Sequence, residues 1–84
     1  MTSMKRKSMD SLGPLQKTVM ETVWDLGEAT ARQVQARVGK RKQLAYTSVL
    51  TILRRLEKAG WLKHRREGRT YVFRPQFSRK QERS

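Results

Sequence analysis

Residues 46–75 read YTSVLTILRRLEKAGWLKHRREGRTYVFRP, and the spacing of their apolar residues changes at Gly60. Before this glycine, apolar residues recur every three or four positions, which is the period of an α-helix. We predict that helix from about Tyr46 to Ala59, with Gly60 as its C-terminal cap. After the glycine the pattern becomes strand-like, so the stretch as a whole predicts a helix followed by β-structure.

The strand-like half predicts a two-stranded β-hairpin. Residues 61–65 and 70–74 are β-prone runs, and residues 66–69 join them. Gly68 is able to take the positive φ that such a turn needs, and Pro75 ends the second strand because it has no N–H for the ladder. A hairpin that follows a helix in this way is typical of the wing of a winged-helix domain.

Two shorter helices are predicted before this stretch. Pro14 suits the first turn of one helix, and Gly27 stops it. Thr30 and Gln33 have the spacing of a capping box, which begins a second helix that runs to about Val38. The first helix carries two apolar stripes, one of Leu15, Val19, Val23 and Leu26 and one of Met20 and Trp24. A helix that is apolar on two sides lies between other elements.

Three helices and a two-stranded wing predict an α+β fold, a winged helix-turn-helix domain over residues 12–75. Residues 1–11 are basic and lack periodicity, so we predict a flexible arm there. Residues 76–84 include SRKQ at 78–81, which has the form of a capping box, and we predict the start of a C-terminal helix or a tail.

The charge of the chain points to a polyanionic partner. The 84 residues carry a net charge of +13, from 20 Lys and Arg against 7 Asp and Glu. Residues 11–29 hold one Lys and three acidic side chains, whereas residues 30–43 hold five cations and no acid. Each phosphate that a cation neutralises releases counterions and so favours binding. Charge by itself leaves DNA, RNA and an anionic membrane open.

The residues that the sequence lacks narrow the function further. Without cysteine there is no disulfide framework and no Cys-ligated zinc, which suits the cytoplasm. No apolar run approaches the ~20 residues that span a bilayer. His64 is the sole histidine, and no nucleophile motif, phosphate loop or carboxylate cluster accompanies it. We predict a cytoplasmic, nucleoid-associated protein that is not an enzyme, binds no membrane and takes no cofactor or metal.

The predicted third helix carries the residues expected to read DNA. Its core face consists of Val49, Ile52, Leu53 and Leu56. The opposite pole has hydroxyls first and cations later, whereas a solvated face favours Glu and Lys pairs. N-terminal residues of such a helix enter the major groove first. We predict base contacts from Thr47, Ser48, Thr51 and Arg54, of which the arginine is equally able to hold a phosphate. Leu50, predicted exposed beside them, suits a thymine methyl group.

Contacts to the DNA backbone are predicted on both sides of this helix. A strongly basic connection precedes it, and arginines surround the tip of the wing, where the backbone or minor groove favours them. Tyr46 begins the helix away from its core face, whereas the other aromatic residues suit packing. The predicted backbone contacts are Thr30, Arg32, Lys40, Arg41, Lys42, Tyr46, Arg55, Lys58, Arg65, Arg66 and Arg69.

Most of the chain resembles the DNA-binding domain of the penicillinase repressor family, which includes methicillin-resistance repressors. The resemblance lies in the order and spacing of VMETVWDLG at 19–27, ATARQV at 29–34, YTSVLTILRRL at 46–56 and EGRTYVFRP at 67–75. It implies a bacterial repressor that binds an inverted-repeat operator as a dimer.

The resemblance also implies individual roles and an oligomeric state. Residues Thr47, Ser48 and Thr51 are expected to approach bases, and Arg55 the backbone. Family members continue into apolar helices for dimerisation, and copper-responsive members carry cysteines, neither of which this sequence contains. We therefore expect a piece of a longer protein or a member that dimerises differently, with weak self-association of these 84 residues.

Together these patterns predict a sequence-specific regulator that binds double-stranded DNA and represses transcription, through the helix at 46–59 and the wing at 65–69. One alternative is a winged-helix protein that binds RNA or the ribosome, which would barely depend on the hydroxyls of the third helix. A second alternative is a protein-interaction module that uses Trp24 and Met20 and keeps its partner in high salt.

Overall fold

The computed structural model describes residues 12–39 and 42–76, and it has the predicted order of three helices and a two-stranded wing. The elements are helix α1 (Pro14–Leu26), helix α2 (Ala31–Val34) with a π-helical continuation (Gln35–Gly39), helix α3 (Tyr46–Lys58), and strands β1 (Leu62–Glu67) and β2 (Thr70–Pro75). The winged-helix prediction is confirmed. The predicted arm, Lys40 and Arg41 of the basic connection, and the tail beyond Gln76 lie outside the described residues.

Both predicted start signals of the first two helices are present. Pro14 is the first residue of α1, and Gly27 ends that helix with φ of 85°. At the start of α2 the backbone N–H of Thr30 donates to Gln33 Oε1 at 2.9 Å. The N–H of Gln33 donates to Thr30 Oγ1 at 3.2 Å in return. This reciprocal pair satisfies two backbone donors that a helix start leaves free.

The second helix departs from the uninterrupted α-helix that was predicted to Val38. It keeps α geometry to Val34 and then widens into the π-helical continuation. The wider turn lays the Gln35 side chain over Gly39, where an added Cβ would lie 2.9 Å from Gln35 Cγ. Gln35 Nε2 then donates to the carbonyl oxygen of Leu44 at 3.2 Å, which ties the continuation to the segment before α3.

The end of α3 turns the chain sharply toward the wing. The helix ends at Lys58, one residue earlier than predicted, and Gly60 takes a φ of 93°. The N–H of Gly60 donates to the Glu57 carbonyl at 3.0 Å, and that of Trp61 donates to the Leu56 carbonyl at 2.9 Å. These two bonds form a Schellman motif, which needs the left-handed glycine.

The wing is longer and its turn tighter than predicted. Strands β1 and β2 pair antiparallel from Leu62 with Pro75 to Glu67 with Thr70, so a two-residue turn remains. Gly68 in that turn has φ of 62°. The loop after α1 adds a single-residue β-bridge to this sheet, because Ala29 and Phe73 exchange two backbone N–H···O bonds of 2.8 Å.

One hydrophobic core joins all the elements. Its fully buried members include Trp61, Phe73, Met20, Leu53, Leu56 and Leu62. Both predicted stripes on α1 contribute to the core, since Val19 and Val23 of one and Met20 of the other are fully buried, whereas Leu15 is 38% exposed. Trp24 is half-buried and meets the ring of Trp61 edge-on at 6.2 Å. Met20 is therefore not available as a contact surface for a partner protein.

Candidate nucleic-acid interface

The polar pole of α3 is open, as its sequence predicted. Thr47, Ser48, Thr51 and Arg54 are all exposed. The opposite side of the helix is closed, because Val49, Leu53 and Leu56 are buried and Ile52 is half-buried. One helical face therefore presents three hydroxyls and a guanidinium to the outside without interference from the rest of the described chain.

The hydroxyl of Thr51 is already engaged within the helix. Its Oγ1 donates to the carbonyl oxygen of Thr47 at 2.9 Å. A hydroxyl has one donor and two acceptor lone pairs. Thr51 in this conformation presents acceptor lone pairs and a methyl group to a ligand. Such a side chain suits the amino group of adenine or cytosine, or the methyl group of thymine.

The cations that follow on α3 are available for an external partner. Arg54, Arg55 and Lys58 are exposed, and within residues 12–39 and 42–76 none of them makes an ion pair. The helix C-terminus carries partial negative charge that favours two of these cations.

Leu50 is not exposed in the way that the sequence predicted. It is half-buried and packs against the core, because the wing folds back beside α3. There it lines a cleft of about 420 Å³ that also contains Tyr71 and Phe73 of β2. A helical period gives the direction of Leu50 but not the position of the hairpin that covers it.

The cleft brings together backbone-contact candidates that are far apart in sequence. Thr30 and Arg32 of the α2 start, Tyr46 of the α3 start and Arg69 of the wing turn all line it. The Arg32 Cζ atom lies 5.5 Å from the centroid of the Tyr46 ring, within cation–π range. No carboxylate is found among the described residues that line the cleft, so its charge is positive.

Other candidates lie elsewhere. Lys42 is exposed and lines a separate groove between α1 and the π-helical continuation, where it has Asp25 of α1 as a neighbour in the lining. Arg66 donates from Nε to the carbonyl oxygen of Gly68 at 3.0 Å, which holds it over the wing turn. Lys42 therefore does not line the cleft. Arg66 lies on the wing, beside the turn.

Arg65 has a different environment from the one predicted for it. It sits within β1 and donates from both terminal nitrogens to Glu28, at 2.7 and 3.0 Å. It also donates from Nε to Glu67 at 2.9 Å. The Arg65 guanidinium holds the pKa of Glu28 below its ordinary value, and the two carboxylates raise the pKa of Arg65. At the surface of the wing, two acidic side chains of the same chain thus pair with this cation.

The residues that fix the wing in place carry no local signal in the sequence. Glu28 is 37 positions from Arg65, a separation at which no local pattern pairs them. His64 Nδ1 lies 2.6 Å from Glu57 Oε2 of α3. The His64 ring also packs against Tyr71 and Phe73, with centroids 4.8 and 5.6 Å away. Polar contacts therefore attach the wing to both the α1–α2 loop and α3.

The described segments lack two features that other classes of protein carry. Within residues 12–39 and 42–76, no helix has the length and apolar character that crossing a membrane requires. In the same segments, no three His, Cys, Asp or Glu side chains lie together as a metal site.

Comparison with known proteins gives a consistent picture. The family model of the penicillinase repressor matches residues 12–84. The transcriptional regulator BlaI of Mycobacterium tuberculosis is 38% identical over 69 residues, which are 81% of this chain and 50% of that protein. The chain therefore spans about half the length of the curated relatives that it matches.

Solved structures agree in fold. The solution structure of the DNA-binding domain of the repressor BlaI superposes with a TM-score of 0.74 at 25% identity, covering 89% of this chain and 92% of that one. The monomeric form of Bacillus licheniformis BlaI, solved in complex with the blaP half-operator, gives a TM-score of 0.69 at 26% identity, with coverage of 83% and 85%. By sequence and by fold, this chain belongs to the penicillinase repressor family.

Proposed function

We propose that this chain is the DNA-binding part of a transcriptional repressor that recognises a specific double-stranded sequence. The observation that carries the proposal is the open face of α3, on which Thr47, Ser48, Thr51 and Arg54 point away from a buried side. The major groove of B-DNA is ~12 Å wide and admits an α-helix. Hydroxyls at the entering end and a guanidinium one turn later match the hydrogen-bonding edges of bases.

Contacts to phosphates hold the domain in place around that helix. The exposed cations of α3, Arg55 and Lys58, lie beside the base-reading face, and Arg66 lies on the wing. The cleft supplies a second group, which consists of Thr30, Arg32, Tyr46 and Arg69. Lys40, Arg41 and Lys42 of the basic connection are proposed as further contacts to the DNA backbone. Arg65 is left out, because Glu28 and Glu67 already neutralise it.

The operator is proposed to be an inverted repeat that two copies of the full-length protein occupy. The BlaI relative was solved as a monomeric form on a half-operator, which is the arrangement that one copy of this domain would adopt on one half-site. We expect these 84 residues to self-associate weakly, and sedimentation in the absence of DNA tests this. Repression would follow from occlusion of a promoter at the nucleoid.

Selection from a random pool of DNA duplexes tests the proposed function. The chain should enrich one short motif, and its affinity for that motif should fall steeply with salt because of counterion release. Substitution Arg54→Ala should weaken binding by ~1–3 kcal/mol and relax the preference at one base pair if the guanidinium reads guanine. Enrichment of no motif, or tighter binding to a double-stranded RNA than to any selected DNA, would contradict the proposal.

A further inference from the structure

We infer that the cleft between α3 and the wing is a seat for one phosphate and its deoxyribose on a single DNA strand, and that this seat sets the register in which α3 reads bases. The inference rests on the proposed function and adds to it. It assigns residues from three separate segments to one nucleotide rather than to scattered backbone contacts. The lining residues, their charge and their rigidity support it.

The charge of the cleft matches one phosphate. Arg32 of α2 and Arg69 of the wing turn both line it, and both side chains are exposed. The groove between α1 and the π-helical continuation is different, since Glu21 and Asp25 line it together with Arg37 and Lys42. A phosphodiester is therefore favoured in the first site, where no acid repels it.

The apolar part of the cleft matches a sugar. Tyr46 and Tyr71 are 41% and 40% exposed, and together with Leu15 they are the large hydrophobic side chains of residues 12–39 and 42–76 that stand out as exposed. Two of these three therefore line the same cleft, and Leu50 forms its floor between them. Deoxyribose has carbon-bound hydrogens that suit this surface. The volume, about 420 Å³, is at the small end of ligand sites, which run from ~300 to ~1,000 Å³.

The walls of the seat are held before DNA arrives. The capping box fixes Thr30 at the start of α2. The wing wall is fixed by the two bonds between Ala29 and Phe73 and by the Arg65–Glu28 pair. Binding to a site that is already formed loses little conformational entropy. The start of α2 and the root of the wing therefore need no rearrangement, and the exposed Arg69 side chain in the wing turn is the part that orders on the phosphate.

The geometry of α3 links the seat to base reading. Tyr46 and Leu50 are four residues apart and share one side of the helix. Thr47 and Thr51 each follow one of them, about 100° further around the same helix. A phosphate held against the first pair therefore fixes the position at which the two threonine hydroxyls meet the bases. Phosphate contacts of this kind set register, and base contacts set specificity.

A scan of neutral phosphates tests the seat. Each phosphate of one selected half-site is replaced in turn by a methylphosphonate, and affinities are measured for the wild-type chain and for Arg32→Gln, Arg69→Gln and the control Arg37→Gln. For the wild-type chain, we expect the methylphosphonate at one position on one strand to weaken binding roughly tenfold, as loss of a charged hydrogen bond would. The methylphosphonate at that same position should weaken binding of Arg32→Gln and of Arg69→Gln less than ~threefold, because the arginine that contacts the phosphate is already absent. The Arg37→Gln control should keep the full loss.

An abasic nucleotide separates a backbone seat from a base contact. Placed at the sensitive step, it removes the base and leaves the sugar and phosphate, so wild-type affinity should stay within ~twofold. If the arginine substitutions and the methylphosphonate weaken binding independently, so that their effects multiply, the proposed seat is wrong. A large loss of affinity on the abasic duplex would also contradict it.

The same titrations include a scrambled duplex, which keeps the two proposals distinguishable. Equal affinity for selected and scrambled DNA would contradict the proposed function, and the register-setting seat with it. A preference for the selected duplex without coupling at any phosphate would overturn the seat alone. Thermal unfolding of each variant verifies that the exposed substitutions leave the fold intact.

Discussion

Thr51 offers the sharpest test of how α3 would read a base. Its hydroxyl donates to Thr47, so the oxygen lone pairs and the methyl group remain for DNA. Thr51→Val keeps the shape and removes the acceptor, which leaves a base amino group unsatisfied at a cost of ~1–3 kcal/mol. That range corresponds to a loss of roughly five- to 150-fold in affinity. Thr51→Ser keeps the acceptor and removes one methyl group, at ~0.8 kcal/mol or about fourfold.

The effect on folding should be small for both variants. Thr51 is exposed, and Val, Ser and Thr have similar helix propensities. Loss of the bond to Thr47 is tolerated, because such back-bonding does little for helix stability. Thr18→Val is a matched control, since its Oγ1 donates to the Pro14 carbonyl at 3.1 Å in the same geometry on a helix away from the proposed interface.

Fluorescence anisotropy with the selected duplex gives the affinities. We expect Thr51→Val to bind more weakly than Thr51→Ser, and Thr18→Val to match the wild type. The reverse order of the two Thr51 variants would show that the methyl group reads thymine and that the acceptor is idle. Affinities within twofold of the wild type for both would refute the placement of this face of α3 against bases.

Three further outcomes follow from the wing and the core. Arg69→Gln should lower the slope of log affinity against log salt by ~0.9, whereas Arg37→Gln should leave it unchanged, because Arg37 lines the separate groove together with Glu21 and Asp25; equal changes would contradict this. Arg65 lowers the pKa of Glu28, so the pair stabilises the fold above the unfolded pKa and loses that effect as pH falls through the lower folded pKa. The difference in Tm between wild type and Glu28→Gln should therefore shrink on acidification below pH 4.5, and a constant difference would contradict the pairing. Phe73→Ala should cost ~3–5 kcal/mol in urea unfolding, since this ring is 1% exposed, and a cost below ~1 kcal/mol would mean that the strand does not pack as described.

Local signals in the sequence were sufficient to predict the order of the elements. Gly60 marks the change from helical to alternating spacing, and the structure gives it the left-handed conformation that ends α3. Thr30 and Gln33 form the capping box that their spacing indicated. The open face of α3 follows from helical geometry alone, because one buried stripe determines what points outward. These features depend on neighbours within about four residues.

Features that depend on tertiary placement could not be predicted. Leu50 is partly covered by the hairpin, and the position in which a hairpin packs against a helix cannot be read from the period of either element. The neutralisation of Arg65 by Glu28 joins residues that are 37 positions apart. On α1, Met20 and Val19 from the two stripes are fully buried while Leu15 is 38% exposed, and which positions of an apolar helix are covered depends on how its neighbours pack. The cleft forms where the start of α2, the start of α3 and the wing meet. The sequence predicted several of its residues as separate backbone contacts, but not that they line one cleft.

The single-residue bridge at Ala29 limits where the hairpin is able to change in length. Since its two bonds to Phe73 join the root of the hairpin to the loop after α1, residues cannot be added or removed near that root without separating both partners. The distal turn at Gly68 has no comparable attachment to the helices in the described chain, and a loop tip of this kind tolerates insertions. A change in hairpin length at that far end would move Arg69 relative to the cleft, while the root of the wing and its attachment to the helices would stay in place.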